Sequence, residues 1–238
     1  MAKKVIIVGA ASGIGEALAK IMSHNGYELG LADVNQEGVD ALASKFKSIT
    51  QYLDLVDVKE ARESFEKLLN NMGAVDIIIL NAGIRFEDPD LDWDKQKKMI
   101  DVNVVGFTEL ATQAMHYLLK QGHGQLVGTS SIAGLKGHRF SPVYDGTKAY
   151  IDVFLEGLRD KVNHRKLPIT ITTIQPGFVD TKLTVGMEKK FWVASVDKAA
   201  LQIFHAIEAR RKHAYITKRW RLVAWALKFL PDWIQQIY

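Results

Sequence analysis

The segment Val5-Ile6-Ile7-Val8-Gly9-Ala10-Ala11-Ser12-Gly13-Ile14-Gly15 sets an unbroken apolar run directly against a glycine cluster. Four successive β-branched residues read as a strand buried on both faces, the signature of a parallel sheet. The glycines, spaced G-x-x-x-G-x-G, read as a tight turn opening a helix, because Leu18, Ile21 and Met22 follow at helical spacing. Residues without side-chain obstruction at that turn let the backbone approach a pyrophosphate at the positive end of a helix. Gly9, Ser12, Gly13, Ile14 and Gly15 are therefore candidate dinucleotide contacts.

The same alternation continues down the chain. Strands are expected over Tyr27 to Ala32, Ile49 to Leu53, Val75 to Leu80, Leu126 to Thr129, Ile169 to Ile174 and Ala214 to Thr217. Helical periodicity fills the intervals, including a long helical region covering roughly Trp93 to Leu119 and a helix from Val143 to Val162. This predicts an α/β fold, a doubly wound parallel (Rossmann) sheet with helices on both faces. No repeat or Pro/Gly-rich linker divides the chain, so residues 1–217 form one domain and residues 218–238 a tail.

Asp33 closes the second strand, 18 residues beyond Gly15. A carboxylate there accepts hydrogen bonds from a ribose hydroxyl pair and repels a 2′-phosphate. Val34-Asn35-Gln36 supplies no basic residue, and Ser12 is not basic either. On these grounds the cofactor expected is NAD rather than NADP.

Composition narrows the function. At 238 residues with 47% hydrophobic and 24% charged residues, the chain has the makeup of a globular protein with a real core. The absence of cysteine excludes disulfides, thiolate nucleophiles and thiolate metal sites, and suits a reducing cytoplasm. The apolar run before Gly9 is too short for a signal-peptide core, and no run approaches a membrane span. The seven histidines show no metal-ligand spacing, and the aspartates at 88, 90, 92 and 94 lack an EF-hand's glycine and glutamate. No metal is expected, and Asp92 or Asp90 reads as a helix cap. His138 and Arg139 read as parts of a solvated loop.

Charge is concentrated in the tail. Lys218, Arg219, Arg221 and Lys228 against Asp232 leave +3 of the chain's net +4 there. The remainder is near neutral, with no track for nucleic acid. Trp220, Trp225 and Trp233 lie among these basic residues on an expected helix stopped by Pro231. Such a surface suits a subunit interface or a membrane interface.

Tyr144-Asp145-Gly146-Thr147-Lys148 places a phenol and an ammonium one helical turn apart. A nearby ammonium favours the phenolate, drawing an otherwise inert phenol towards acid–base work.

Taken in order, these segments resemble the short-chain dehydrogenase/reductase family, in its single-domain branch, over about residues 3–217. Val8 to Gly15 is similar to that family's T-G-x-x-x-G-x-G loop, with Val8 in place of threonine. Leu80-Asn81-Ala82-Gly83 resembles N-N-A-G, with Leu80 in place of the first asparagine. Asn103 stands at the catalytic asparagine, and Ser131 precedes Tyr144 by the family's 13 residues. Tyr144 to Lys148 matches Y-x-x-x-K, and Pro176-Gly177 with Thr181 resembles P-G-x-x-x-T. Asp54-Leu55 matches the pair set against the adenine. The two departures read as a packing exchange.

The resemblance implies reversible hydride transfer between nicotinamide and an alcohol or carbonyl carbon. Tyr144 would be the acid or base, and Lys148 would lower its pKa and bind the nicotinamide ribose. Ser131 would hold the substrate oxygen, and Asn103 would carry a proton relay. Cofactor contacts would come from Gly9, Ser12, Gly13, Ile14, Gly15, Asp33, Asp54, Leu55, Asn81, Ala82, Gly83, Tyr144, Lys148, Pro176, Gly177, Val179 and Thr181. The lid after Thr181 carries Leu183, Val185, Met187, Phe191 and Trp192, which suit a non-polar small-molecule substrate or simply pack on the domain. A homodimer or homotetramer in the cytoplasm is expected, with peripheral membrane contact through residues 218–238 left open. A catalytically silent dinucleotide-binding regulator and a membrane-associated reductase of a lipid-linked substrate are the alternatives.

Overall fold

Seven strands lie in one parallel sheet in the order β3-β2-β1-β4-β5-β6-β7. The computed structural model describes residues 2–88, 90–185, 187 and 191–229. The strands are β1 (Lys4–Val8), β2 (Glu28–Asp33), β3 (Ser48–Tyr52), β4 (Ile77–Leu80), β5 (Gly124–Thr129), β6 (Ile169–Pro176) and β7 (His213–Ile216). The chain runs outward from β1 to β3, then returns to β4 on the other side of β1. That reversal opens a crevice at the carboxyl ends of β1 and β4, where doubly wound sheets bind ligands.

Strand alternation explains the two cores. In β1, Ile6 and Val8 face one layer while Val5 and Ile7 face the other, and β4 does the same with Ile78 and Leu80 against Ile77 and Ile79. The first layer is closed by α3 (Val58–Met72), α5 (Phe107–Gln121) and α6 (Pro142–His164). The second is closed by α1 (Gly13–His24), α2 (Gln36–Ala43) and α7 (Val196–Glu208). Val8 and Leu80, the two apolar departures from the family motifs, are register partners buried in the same layer. Both side chains pack into that layer, at 1% and 3% exposure.

The long helical region expected over Trp93 to Leu119 is helical throughout, with a π-turn inside it. α4 (Trp93–Ile100) passes through a π-turn, Asp101–Gly106, into α5 without leaving helical dihedrals. Asp92 caps α4, accepting from the amides of Asp94 and Lys95 at 3.0 and 3.4 Å. A π-turn inserts an extra residue and re-aims the side chains that follow it, a device common at functional sites.

The tail begins α8 (Trp220–Phe229). Trp220 is 1% exposed and packs on the domain's own loop after β6, so close to Gly177 that any side chain there would collide with its indole. Phe178, Phe191 and Trp192 surround it at ring separations of 5.6, 5.0 and 5.9 Å. Arg219 stacks over Trp192 at 5.1 Å and donates to its carbonyl at 2.9 Å. The start of the tail is therefore integral to the domain, whereas Lys218, Arg219, Arg221 and Leu222 are exposed. Trp233 and Pro231 lie outside the described residues. Truncating a buried tryptophan removes its transfer energy and leaves a cavity. Trp220→Ala is expected to destabilise the protein by about 3–5 kcal/mol in urea unfolding; a loss under about 1 kcal/mol would refute this role for Trp220.

Candidate active site

The glycine loop is built from the sheet edge upward. Gly9 and Gly13 adopt φ of +84° and +55°, the left-handed region that glycine occupies without penalty. The amides of Gly9 and Ala10 both donate to Ala32 O, at 2.8 and 3.2 Å, tying the loop to β2. Asn81 donates through Nδ2 to Gly9 O at 3.2 Å and accepts from Thr129 Oγ1 at 3.1 Å. Its own amide and that of Ala82 donate to Val8 O, at 2.9 and 3.0 Å. This one side chain thus spans the ends of β1, β4 and β5.

The cradle fits a dinucleotide backbone. A Cβ on Gly9 would lie 2.6 Å from Ala82 N, and one on Gly15 would strike Gly9 O. A Cβ on Gly13 would come within 3.3 Å of the Thr181 methyl, so the loop after β6 closes over the glycine turn. Ser12 enters α1 with no side-chain cap, leaving first-turn amides without a side-chain acceptor at that position. Ile14 packs into the second core. Asp33 accepts from Ala11 N at 2.9 Å through Oδ2 and from Asn35 N at 3.0 Å through Oδ1.

The other expected contacts fall around the same crevice or beside it. Leu55 is buried against Gly106 in the π-turn, and Asp54 accepts from Val56 N at 2.9 Å. Pro176 ends β6, and Gly177 N donates to Ile216 O. Val179 bridges Ala194, and Thr181 caps a short 3-10 turn, Lys182–Thr184, in a capping box with Thr184.

Tyr144 and Lys148 sit in the first two turns of α6, at 9% and 4% exposure. Lys148 Nζ lies 5.7 Å from the Tyr144 ring centroid and donates to Thr129 O at 3.0 Å. The π-turn carries Asn103 inward: Oδ1 accepts from Ile84 N at 2.9 Å, and Nδ2 donates to Ile84 O at 2.8 Å and to Thr147 Oγ1 at 3.1 Å. Asn103 Oδ1 and Lys148 Nζ each lie 3.2 Å from where a Cβ on Gly83 would stand. Glycine is the residue that leaves this meeting point open. Ser131 is the extended cap of the 3-10 turn Ile132–Leu135, its Oγ accepting from Ala133 N at 3.1 Å. Ser130 Oγ donates to Lys148 O at 2.9 Å, holding the serine segment on α6. Asn103, Ser131, Tyr144 and Lys148 thus converge.

Burial governs their ionisation. The Tyr144 phenol is pushed up to about 12 by loss of water; hydrogen bonding with Ser131 and the charge of Arg85 oppose the rise, while Asp145 adds to it. Burial drives Lys148 down to about 8, against the pull of the Asp152 carboxylate. The sequence pattern predicts that Lys148 lowers the phenol. In the folded chain hydrogen bonding with Ser131 and the charge of Arg85 act to lower the phenol, and burial outweighs both. Lys148 directs its ammonium to Thr129 O and, with its pKa driven only to about 8, still carries its charge at neutral pH.

Two further residues escape the motif reading. His138 lies exposed in its loop as expected, but its amide donates to the buried Asp145 carboxylate at 2.6 Å, with its ring Nδ1 at 3.3 Å. Arg85 places its guanidinium carbon 5.9 Å from the Tyr144 ring centroid. The sequence signal for Arg85 is only that it stands two residues beyond Gly83; nothing in that spacing shows that it turns towards Tyr144.

A buried lysine whose pKa falls in the folded state penalises folding wherever the unfolded chain holds the proton and the native chain resists it. Here that penalty is full below about 8 and is relieved as pH rises from about 8 towards the unfolded value of 10.5. Lys148→Met is therefore expected to stabilise the protein at pH 7 by on the order of 1–3 kcal/mol, with the gain fading from about pH 8 and gone by about 10.5. Thermal unfolding across pH checks this, and a destabilised or pH-independent variant would contradict it.

A family model, short chain dehydrogenase, matches residues 3–191. An uncharacterized oxidoreductase of Staphylococcus aureus strain USA300 is 31% identical over 189 residues, covering 77% of this chain and 81% of that protein. Among solved structures, a short chain dehydrogenase/reductase from Burkholderia phymatum in complex with NAD superposes with a TM-score of 0.83 at 21% identity, over 94% of this chain and 92% of that one. An alcohol dehydrogenase from Thermococcus sibiricus complexed with 5-hydroxy-NADP gives 0.81 at 21% identity, over 90% and 96%. The two structures share the fold, and the family model's match over residues 3–191, with the relative 31% identical, shows that this chain belongs to the short-chain dehydrogenase/reductase family of oxidoreductases.

Proposed function

We propose that this chain interconverts a secondary alcohol and a carbonyl by reversible hydride transfer, with NAD as its cofactor. The convergence of Asn103, Ser131, Tyr144 and Lys148 at the mouth of the β1–β4 crevice carries this reading. Bound nicotinamide would supply or accept the hydride. Tyr144, neutral and proton-bearing at physiological pH, donates to the substrate oxygen during reduction and takes the proton back during oxidation. Ser131 orients that oxygen and shares its developing charge. Lys148 lies near its titration point, so it can pass a proton as well as bind the ribose of the cofactor. Asn103 pins the backbone after β4 and links Lys148 to a solvent relay.

The choice of NAD rests on Asp33, whose carboxylate stands beside Ala11 N at the glycine loop with no basic neighbour in Val34-Asn35-Gln36. A 2′-phosphate would face like charge there. The exposed apolar residues Leu183, Val185 and Phe191 support a substrate with a non-polar portion, although Phe191 also packs on Phe178 and Trp220. A silent regulator would commonly lack one of the four catalytic residues, and all four are present. Among the described residues no helix is long and apolar enough to cross a membrane. A cytoplasmic homodimer or homotetramer is proposed, with the exposed basic residues of the tail facing a subunit or a membrane.

Tyr144→Phe is expected to abolish NADH-linked turnover across a panel of ketones while leaving NADH affinity within about twofold; normal turnover would overturn the assignment of the acid. Asp33→Ala is expected to narrow the preference for NAD over NADP by about tenfold or more, read from the two kcat/KM values. An unchanged ratio would remove the ribose contact.

A further inference from the structure

Arg85 follows the N-A-G turn at the end of β4, and its side chain is 11% exposed. Its guanidinium has five N–H donors in a rigid fork. Among the described residues its one hydrogen bond is to Glu87, from Nη2 to Oε1 at 3.1 Å. Glu87 lies on the rim with its side chain 43% exposed. A nearly buried cation with unused donors, beside the residue that handles the substrate's proton, is costly to maintain unless something else binds it.

We propose that Arg85 is an anion subsite that receives a carboxylate carried by the substrate, so that the substrate class is an oxo acid or hydroxy acid with an apolar chain. This rests on the hydride-transfer reading above and specifies its object. The planar guanidinium matches a carboxylate in a two-point hydrogen bond. A single cation at this position balances a monoanion, whereas a phosphate dianion calls for more positive charge. Glu87 already occupies the fork with the same chemistry. Its release is cheap, because an exposed carboxylate swings back into water and a surface ion pair is worth little. The incoming carboxylate then replaces one anion by another, leaving the charge around Tyr144 nearly unchanged. Glu87 would keep Arg85 paired when no substrate is bound, and the exposed apolar residues Leu183 and Val185 would cover the chain.

The test uses the full chain saturated with NADH. Calorimetry compares octanoate with octanamide, an inert pair differing in charge, on wild type, Arg85→Gln and Glu87→Gln. Octanoate is expected to bind wild type about tenfold or more tighter than octanamide. Arg85→Gln should erase that preference, and Glu87→Gln should widen it by removing the competing carboxylate. Equal binding of the two probes to wild type, or a preference that survives in Arg85→Gln, would overturn the subsite. If Arg85→Gln fails to fold, an unchanged preference in Glu87→Gln overturns it on its own. Inorganic phosphate competing better than octanoate would overturn the carboxylate assignment. Turnover of 3-oxo-octanoate and its methyl ester separates the two levels. A charge preference without turnover of either sinks the reaction and spares the subsite; equal turnover of acid and ester, with no charge preference, does the reverse.

Discussion

Keeping the Lys148 ammonium inside the protein beside Tyr144 is the constraint to which the site's surroundings answer. A cation at 4% exposure needs a fixed acceptor, and Thr129 O, at the last residue of β5, provides it. That carbonyl is in place only because β5 is held in register between β4 and β6. Its neighbours then have to approach without filling the space. Gly83 leaves room for Asn103 and Lys148 to meet, and Gly134 lets the serine segment lie on the α6 backbone, where a Cβ would come within 2.7 Å of Lys148 C. The π-turn adds the remaining piece by turning Asn103 inward to bracket Ile84. Sheet, helix and loop are thus tuned to one buried charge, which lowers stability and supplies a proton carrier near neutral pH.

Much of this is readable from spacing. Strands of consecutive β-branched residues, such as Val5 to Val8 and Ile77 to Ile79, announce burial on both faces, and the sheet uses them so. The glycine turn and the Tyr144–Lys148 pair are local patterns whose geometry depends on a few residues, and local patterns survive folding. The substitutions Val8 and Leu80 are legible as a pair for a simpler reason: both are apolar, and register makes them neighbours.

What spacing does not disclose depends on contacts between distant segments. The π-turn leaves helical periodicity almost intact on either side, so Trp93 to Leu119 reads as a long helical region with nothing to mark the π-turn inside it. The sign of the Tyr144 shift is also hidden, because the i,i+4 rule locates an ammonium without saying where it points or how much water is lost. Desolvation outweighs the neighbouring charge. Arg85 and Asp145 reach the phenol from beyond the motif and from within it, and no periodicity marks either. The tail's composition reads as a surface for a partner, yet Trp220 is buried in its own domain beside Gly177. Its aromatic neighbours Phe178 and Trp192 join the loop after β6 to the lid, so the start of the tail and the cofactor loop share one packed cluster.

Burial, more than the Tyr–Lys pairing, sets the protonation of the catalytic groups. Heteronuclear NMR titration of Lys148 Nζ and Tyr144 Cζ in the cofactor-free protein tests this central claim most directly. Lys148 is expected to titrate near 8 while Tyr144 remains protonated beyond pH 10. A phenol titrating below its ordinary value of about 10, beside a lysine still charged at that pH, would contradict it.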